Sequence, residues 1–224
     1  MSERSHDPRI GRAFRENRSL QALTLGYALV FVWSAIAPKY PRDWWLEMLL
    51  AFAFIGTLIA THRRFVFSNF SYGLIALFLA MHTYGAHYTY AESAFGDWLK
   101  EALSLSRNHY DRIVHFSFGA LLVYPMHEIA RRVLHLRGGW SFAVPWLSAL
   151  ALSGGYEIVE GWTARIVSPE LGVAYLGTQG DEWDAQKDMS LANTGSLISL
   201  ALTALYRRRS GREPWWIGSE RDSS

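Results

Sequence analysis

Residues 45–61 read WLEMLLAFAFIGTLIAT, an almost uninterrupted apolar stretch of 17 residues. An α-helix needs roughly 20 such residues to cross the hydrocarbon core of a bilayer. Five further blocks of similar length and character occur along the chain, at 20–37, 67–86, 111–134, 142–162 and 189–206. This pattern predicts an all-α fold, in which six transmembrane helices form the bundle of a polytopic membrane protein.

The composition agrees with a membrane protein and excludes several other classes. Half of the 224 residues are hydrophobic, and six spans leave little room for a soluble domain. A soluble helical bundle with a buried core is the alternative interpretation. The absence of cysteine excludes thiol catalysis, cysteine-ligated zinc and iron–sulfur clusters. A formal net charge of +2 gives no reason to expect a nucleic-acid partner.

The basic residues predict the orientation of the bundle. If the N-terminus is cytoplasmic, 15 of the 22 lysines and arginines fall on the cytoplasmic side, as the positive-inside rule requires. We therefore expect a multi-pass membrane protein with both termini in the cytoplasm. The expected organisation is a basic N-terminal segment at 1–19, a membrane domain at 20–206 and a basic C-terminal tail at 207–224.

Two long segments are expected on the outer side of the membrane. Within 87–110, five apolar residues recur at helical spacing, namely Phe95, Trp98, Leu99, Ala102 and Leu103. One apolar stripe of this kind is typical of a short helix that lies along the membrane surface. The segment 163–183 is rich in glycine and is expected to be irregular.

Polar and ionisable residues converge on the outer ends of the last four predicted spans. Each ionisable group inside a span costs about 2.5–3.5 kcal/mol on insertion scales, which makes it a functional candidate. The third span and the residue after it contribute His82 and His87, and the start of the fourth contributes Asn108, Asp111, Arg112 and His115. The end of the fifth span contributes Glu157 and Glu160, and the start of the sixth contributes Asp181, Asp184 and Asp188. Asp111 and His115 are four residues apart and share a helix face. Facing helices that each supply carboxylates or imidazoles are how helical bundles build metal sites.

These residue types predict a divalent-metal site that opens to the outer face. Carboxylates suit Mg²⁺ or Mn²⁺, and imidazoles also admit Zn²⁺ or iron. We expect Asp111 and Glu157 to act as general acid and base, and Arg112 to neutralise a substrate phosphate, with an ion pair to Glu157 as the alternative. The predicted metal ligands are His82, His115, Asp184 and Asp188. Secondary candidates are His87, Asn108, Glu160 and Asp181.

Several of these residues also have a structural interpretation. His82 can simply hydrogen-bond a neighbouring span, Asp111 can cap its helix, and Asp181 can be a solvated loop charge. His127 and Glu128, at the opposite end beside two arginines, are expected to form a solvated helix end. Gly195 shares a face of the last span with Asp188 and is small enough for close helix packing.

Three stretches at these positions resemble the YjdF-like family of bacterial inner-membrane proteins. They are HTYGAHYTY at 82–90, NHYDRIVHF at 108–116 and GDEWDAQKDM at 180–189, and the resemblance covers about 20–206. The second half is also similar to the VanZ-like family, which is linked to glycopeptide resistance. The residues that carry this second likeness are His115, Phe116, Glu157, Asp188, Asn193 and Gly195. These resemblances imply a fold and a site rather than a reaction.

Motifs of soluble enzymes are absent from the sequence, including the phosphate-binding glycine loop, the G-x-S-x-G elbow and H-E-x-x-H. The leading hypothesis is a membrane-embedded enzyme that carries out metal-assisted hydrolysis or transfer on a lipid or envelope precursor. One alternative is a non-enzymatic transporter or lipid-binding protein that uses the same cluster to bind ions or protons. A second alternative is a structural or stress-response membrane protein. Polar groups confined to the outer third of the spans favour a one-sided site over a transport path.

Overall fold

The computed structural model describes residues 13–166 and 178–214. Within these residues the chain forms seven α-helices and one short 3₁₀-helix, Phe14–Glu16, which confirms the all-α prediction. The helices are α1 (Arg18–Ala35), α2 (Pro41–Thr61), α3 (Asn69–Tyr88), α4 (Ala94–Ala102), α5 (Tyr110–Arg132), α6 (Trp140–Ile166) and α7 (Asp184–Ser210).

Four of these helices, α2, α5, α6 and α7, are long and apolar enough to cross a membrane. Large apolar side chains on their outward faces are exposed, among them Ile59 of α2, Leu152 of α6 and Leu202 of α7. An apolar surface of this extent is expected where lipid, rather than water, surrounds the protein. The chain is therefore a polytopic membrane protein.

Helix α5 lies at the centre of the bundle. It packs against α3, α6 and most extensively α7, while α1 and α2 pack against α3. The main apolar core includes Trp44 and Met48 of α2, Ile75 and Leu79 of α3, and Leu122 of α5. Helix α2 thus lies against α3, whereas α6 lies against α5 and α7.

The contact between α5 and α7 depends on two glycines. A Cβ atom on Gly119 would collide with the carbonyl oxygen of Ala192, and one on Gly195 would collide with that of Phe116. Because glycine has no side chain, the two backbones can approach each other at these points. The prediction that Gly195 allows close helix packing is confirmed.

Helices α2 and α7 begin a full turn or more before the apolar blocks that predict them. Helix α7 begins at Asp184, so Asp184 and Asp188 both lie on it and Asp181 precedes it. Helix α2 begins at Pro41, which brings Asp43 into its first turn. Hydropathy overlooks such turns, although proline suits the first helical position and acidic residues are favourable near a helix N-terminus.

The predicted amphipathic helix is present as α4, which ends one residue before Leu103. Its apolar residues Phe95 and Trp98 are exposed, while Gly96 lies against the side chain of Asn108. Of the segment 163–183, residues 167–177 lie outside the described residues, as do Trp215 and Trp216 of the C-terminal tail.

The long helices leave polar residues at both ends of the bundle. One end contains the start of α5 and α7 and the end of α3 and α6, and we call it the Asp111 end. The other end contains the start of α3 and the end of α5, where Ser68 binds Glu128, and we call it the Glu128 end.

Candidate metal and acid–base site

Asp111 and His115 lie one turn apart near the start of α5, and both side chains are largely buried. His115 Nε2 is 3.5 Å from Asp111 Oδ1. The backbone N–H of Tyr110, the first residue of α5, donates to Asn108 Oδ1 at 3.0 Å. The side chain of Asn108 therefore satisfies a free N–H at the start of this helix. The carboxylate of Asp111 lies beside His115 and does not cap the helix.

Asp188 of α7 completes a group of three possible metal ligands. One oxygen of Asp111, one ring nitrogen of His115 and one oxygen of Asp188 all lie within 4.8 Å of one another. Asp188 is only 2% exposed, and its Oδ1 has no hydrogen-bond partner within the described residues. An unsatisfied buried carboxylate oxygen is costly, and a cation would satisfy it. Two carboxylates and one imidazole are a donor set that fits Mg²⁺, Mn²⁺ or Zn²⁺.

The last turns of α6 bring Glu157 and Glu160 to the same end. Glu157 Oε1 lies 3.6 Å from His115 Nδ1 and has no hydrogen-bond partner within 13–166 and 178–214. Glu160 follows three residues later on the same helix. The imidazole of His115 therefore lies between a carboxylate of its own helix and one of α6.

Two acidic residues of α2, Asp43 and Glu47, reach the same end although the sequence analysis did not identify them. Glu47 is buried, and its Oε2 accepts a hydrogen bond of 3.5 Å from the Tyr156 hydroxyl of α6. Asp43 is buried as well, and neither carboxylate oxygen has a hydrogen-bond partner in the part of the chain described. Glu47 lies inside the apolar block at 45–61, and an ionisable residue in such a block is a sequence signal for a functional candidate.

Arg112 and Asp184 form an ion-pair network beside this group instead of joining it. Arg112 Nη2 lies 2.5 Å from Asp181 Oδ2 and 3.2 Å from Asp184 Oδ1. Arg107 Nη1 lies 2.7 Å from the same Asp184 oxygen. The alternative pair of Arg112 with Glu157 is not formed, because two aspartates near the start of α7 are closer to the guanidinium group.

The charge of Asp181 is stabilised by this network. Lys187 Nζ lies 2.6 Å from Asp181 Oδ2, and the hydrogen bond from Lys187 is the main reason that the pKa of Asp181 is lowered to about 2. Bonds from the Trp183 N–H and from Arg112 act in the same direction. Asp181 therefore remains ionised at neutral pH. Its ion pair with Arg112 holds the segment before α7 against α5.

His82 lies near the group, but both of its ring nitrogens have other partners. Its Nδ1 is 2.5 Å from the Tyr90 hydroxyl and its Nε2 is 3.2 Å from the carbonyl oxygen of Glu47. His87 is also occupied, because its Nδ1 contacts the carbonyl oxygen of Ser34 at 2.9 Å. These contacts connect α3 to α1 and α2, and the structure does not bring either histidine into the group around Asp188.

Asn108, another predicted candidate, makes hydrogen bonds that connect neighbouring segments of the chain. Its Nδ2 donates to the carbonyl oxygen of Ser93 at 3.0 Å and to Asp97 Oδ1 at 2.9 Å. Its backbone forms a reciprocal pair with the side chain of Gln179. Asn108 thus connects α4, α5 and the residues that precede α7.

The prediction that His127 and Glu128 form a solvated helix end is wrong, since both side chains are 0% exposed. Glu128 accepts hydrogen bonds from the backbone and hydroxyl of Ser68, from Ser71 and from Arg132. The loop before α3 and the first turn of α3 fold over this end of α5, and the hydroxyl groups of Ser68 and Ser71 take the place of water around Glu128. A single sequence does not show which loop covers a helix end.

His127 belongs to a second buried contact at the Glu128 end. Its Nδ1 lies 2.7 Å from the carbonyl oxygen of Ser141, and its Nε2 lies 3.4 Å from Glu213 Oε2. Glu213 also pairs with Arg131 and with Arg207, at 3.2 and 2.9 Å. The chain after α7 is therefore joined to α5 by a buried glutamate.

An apolar cavity of about 560 Å³ extends from the Asp111 end into the bundle. Its polar lining lies mainly at that end, where Asp111, His115 and Tyr156 face it. Farther along, the lining consists mainly of apolar side chains such as Phe118 and Met126 of α5. The cluster of acids and imidazole therefore lies at the mouth of an apolar space.

Two comparisons with known proteins cover almost the whole bundle. Residues 19–209 match a family model described as a predicted membrane protein, DUF2238. The chain is 34% identical over 189 residues to the inner membrane protein YjdF of Escherichia coli strain K12, and the match covers 84% of this chain and 89% of that protein. No solved structure matches the chain. The likeness of the second half to the VanZ-like family stays a prediction.

Proposed function

This chain belongs to the DUF2238 family of predicted membrane proteins, and from that premise we propose that it crosses the inner membrane six times. It is an integral, multi-pass inner-membrane protein. Besides the four long apolar helices, α1 and α3 contain 18 and 20 residues. At 1.5 Å per residue they extend about 27 and 30 Å, close to the hydrocarbon thickness of about 30 Å. The exposed apolar residues of α4 suit a position along the membrane surface.

In this proposal the Asp111 end faces the outside of the cell and the Glu128 end faces the cytoplasm. The supporting observation is the excess of lysine and arginine at the Glu128 end and in both terminal segments. The domain boundaries remain as proposed from the sequence, with a membrane domain at 20–206 between cytoplasmic segments at 1–19 and 207–224.

We propose that the protein is a metal-dependent hydrolase or group transferase acting at the outer face. The observation that carries this proposal is the group of Asp111, His115 and Asp188, which contains a buried carboxylate oxygen without a hydrogen-bond partner in the described residues. The substrate would be a membrane lipid or an envelope precursor, because the group lies at the mouth of an apolar cavity.

The proposed roles differ between the three ligands and the neighbouring Glu157. Asp111, His115 and Asp188 would hold the cation, which, when bound, would polarise a substrate oxygen or promote ionisation of a water molecule. Glu157 would accept or return a proton, because its Oε1 faces His115 and makes no hydrogen bond within the described residues. Its contact with His115 Nδ1 would also orient the imidazole, as carboxylates often do for metal-binding histidines.

His82 is no longer a proposed ligand, and three further residues receive different roles from those predicted from the sequence. Asp111 becomes a proposed ligand, because it belongs to the group of three. Asp184 and Arg112 become positioning residues, because they bind each other and the segment before α7. The proposed site therefore contains no arginine for a phosphate, and the cation would provide the positive charge.

Metal analysis of the purified protein tests this proposal. We expect bound Mg²⁺, Mn²⁺ or Zn²⁺ that a chelator removes, and we expect Asp188→Asn and His115→Gln to fold normally and to lose it. Glu101→Gln, which removes an exposed carboxylate of α4, is the matched control and should retain the metal. Full metal content in both site variants, or no metal in the wild type, would contradict the proposal.

A transport path has less support than this one-sided site. Between His115 and His127 on α5 lie 12 residue steps, or about 18 Å at 1.5 Å per residue. Phe118, Leu122 and Met126 line the cavity in this interval and provide no acid or imidazole. A purely structural cluster is the remaining alternative, and the Asp188→Asn and His115→Gln variants would distinguish it because a structural cluster does not depend on bound metal.

A further inference from the structure

The apolar cavity has the length and the volume to hold one hydrocarbon chain. Its lining on α5 extends from Asp111 to Ile129, a distance of about 27 Å at 1.5 Å per residue. Dividing the volume of about 560 Å³ by this length gives a mean cross-section of about 21 Å². A methylene group is about the size of a water molecule, which occupies roughly 30 Å³. The cavity volume of about 560 Å³ therefore corresponds to about 19 methylene groups.

The cavity also opens sideways, towards the lipid. Its two side walls are α2 and α6, and its back is formed by α3 and α5. Leu50 of α2 and Leu152 and Val159 of α6 line the cavity and are themselves exposed on the surface of the bundle. A chain could therefore move into the cavity from the bilayer between α2 and α6 without crossing water.

We infer that this cavity binds one acyl chain of a phospholipid from the outer leaflet, with the phosphodiester headgroup at Asp111, His115 and Asp188. The apolar lining, the length and volume of the cavity and the lateral opening support the acyl chain. The headgroup position rests on the proposed function, because a phosphate can lie beside these carboxylates only if a cation is bound between them. The substrate class of the proposed enzyme is then a phospholipid.

Gly155 offers a way to fill the cavity without disturbing the backbone. It lines the cavity on α6, and a Cβ atom added to it meets open space. Gly155→Leu therefore places a side chain where the acyl chain would lie. Gly56 of α2 also has open space around an added Cβ but does not line the cavity, so Gly56→Leu is the matched control.

The experiment uses the full-length protein in vesicles of phosphatidylethanolamine and phosphatidylglycerol. A fraction of the phosphatidylglycerol has a photoreactive diazirine near the end of one acyl chain, and cross-linked residues are mapped after irradiation. We expect cross-links at cavity positions of α5, such as Phe118, Leu122 and Met126. Gly155→Leu should reduce them about tenfold or more, the effect of losing the burial of about two methylene groups. Gly56→Leu should match the wild type.

A second variant and a metal measurement keep the interpretation unambiguous. Ala151→Phe fills the same cavity from its exposed rim and replaces Gly155→Leu if that variant does not fold. Cavity-filling variants should retain bound metal, whereas Asp188→Asn should lose metal and retain the cross-links. Failure of the metal site alone would thus leave the acyl-chain site intact.

Three results would overturn the inference. The first is cross-linking of Gly155→Leu and Ala151→Phe within twofold of the wild type. The second is cross-linking of the wild type only at lipid-facing positions outside the cavity, such as Leu147 and Ile158. The third is competition by a polyprenyl phosphate, but not by unlabelled phosphatidylglycerol, since the occupant would then be an isoprenoid.

Discussion

Tyr156 of α6 donates a hydrogen bond of 3.5 Å to Glu47 of α2. This bond connects the two helices that form the side walls of the apolar cavity, near its polar mouth. It therefore limits how far α2 and α6 can separate at the Asp111 end. Farther from this end, the same two helices present exposed apolar side chains at the lateral opening.

Tyr156→Phe should lower the free energy of unfolding by about 1 kcal/mol, because the buried carboxylate of Glu47 loses a donor. The measurement is chemical or thermal unfolding in detergent, followed by helical circular dichroism. Tyr40→Phe is the control, since the Tyr40 hydroxyl donates to Glu92 at the same 3.5 Å but in an exposed position. Equal effects of the two substitutions would show that the Tyr156 bond does not stabilise the bundle.

Gly195→Ala should destabilise the bundle by about 1–3 kcal/mol or more, because its Cβ would collide with a backbone oxygen of α5 that cannot move easily. The control is Gly154→Ala, whose Cβ would make an ordinary contact of 3.6 Å with Met189 Sδ. That substitution should be neutral or stabilising by up to about 1 kcal/mol, the usual difference between glycine and alanine in a helix. Unfolding in detergent measures both. A neutral Gly195→Ala would show that α5 and α7 do not cross at this point.

Glu128→Ala should cost about 3–5 kcal/mol, because it leaves the guanidinium of Arg132 without its buried partner. Glu128→Gln retains an acceptor for Ser68 and Ser71 and should cost less. The free energies of unfolding of the two variants give the comparison, and Glu101→Ala on the surface should stay within about 0.5 kcal/mol of the wild type. If Glu128→Ala behaved like Glu101→Ala, the residue would be solvated in the membrane.

Reporter fusions test the proposed orientation. A fusion after residue 224 should be active only with a reporter that functions in the cytoplasm, such as a fluorescent protein. An insertion after Gly180, close to the Asp111 end, should be active only with an exported alkaline phosphatase. The physical reason is the concentration of arginine in the segments beside the Glu128 end. Activity of both fusions on the same side would contradict the six-span arrangement.

Local sequence patterns are sufficient to predict the helical class and to single out Asp111, His115 and Asp188 as candidate site residues. Apolar blocks of membrane-spanning length predict the long helices, and the four-residue spacing of Asp111 and His115 predicts their shared face. The small size of Gly195 predicted the close helix contact that the structure confirms. Each of these inferences needs only neighbours along one helix.

Which polar residues share an environment depends on how distant parts of the chain pack together. Arg112 pairs with Asp181 and Asp184 rather than with Glu157, because the start of α7 lies closer to its guanidinium group than α6 does. Glu128 is buried because the loop before α3 and the first turn of α3 cover the end of α5. Their donors, Ser68 and Ser71, are 60 and 57 residues away in sequence. The cavity likewise exists only between four helices. Such contacts depend on distances between segments far apart in the chain, which local periodicity does not determine.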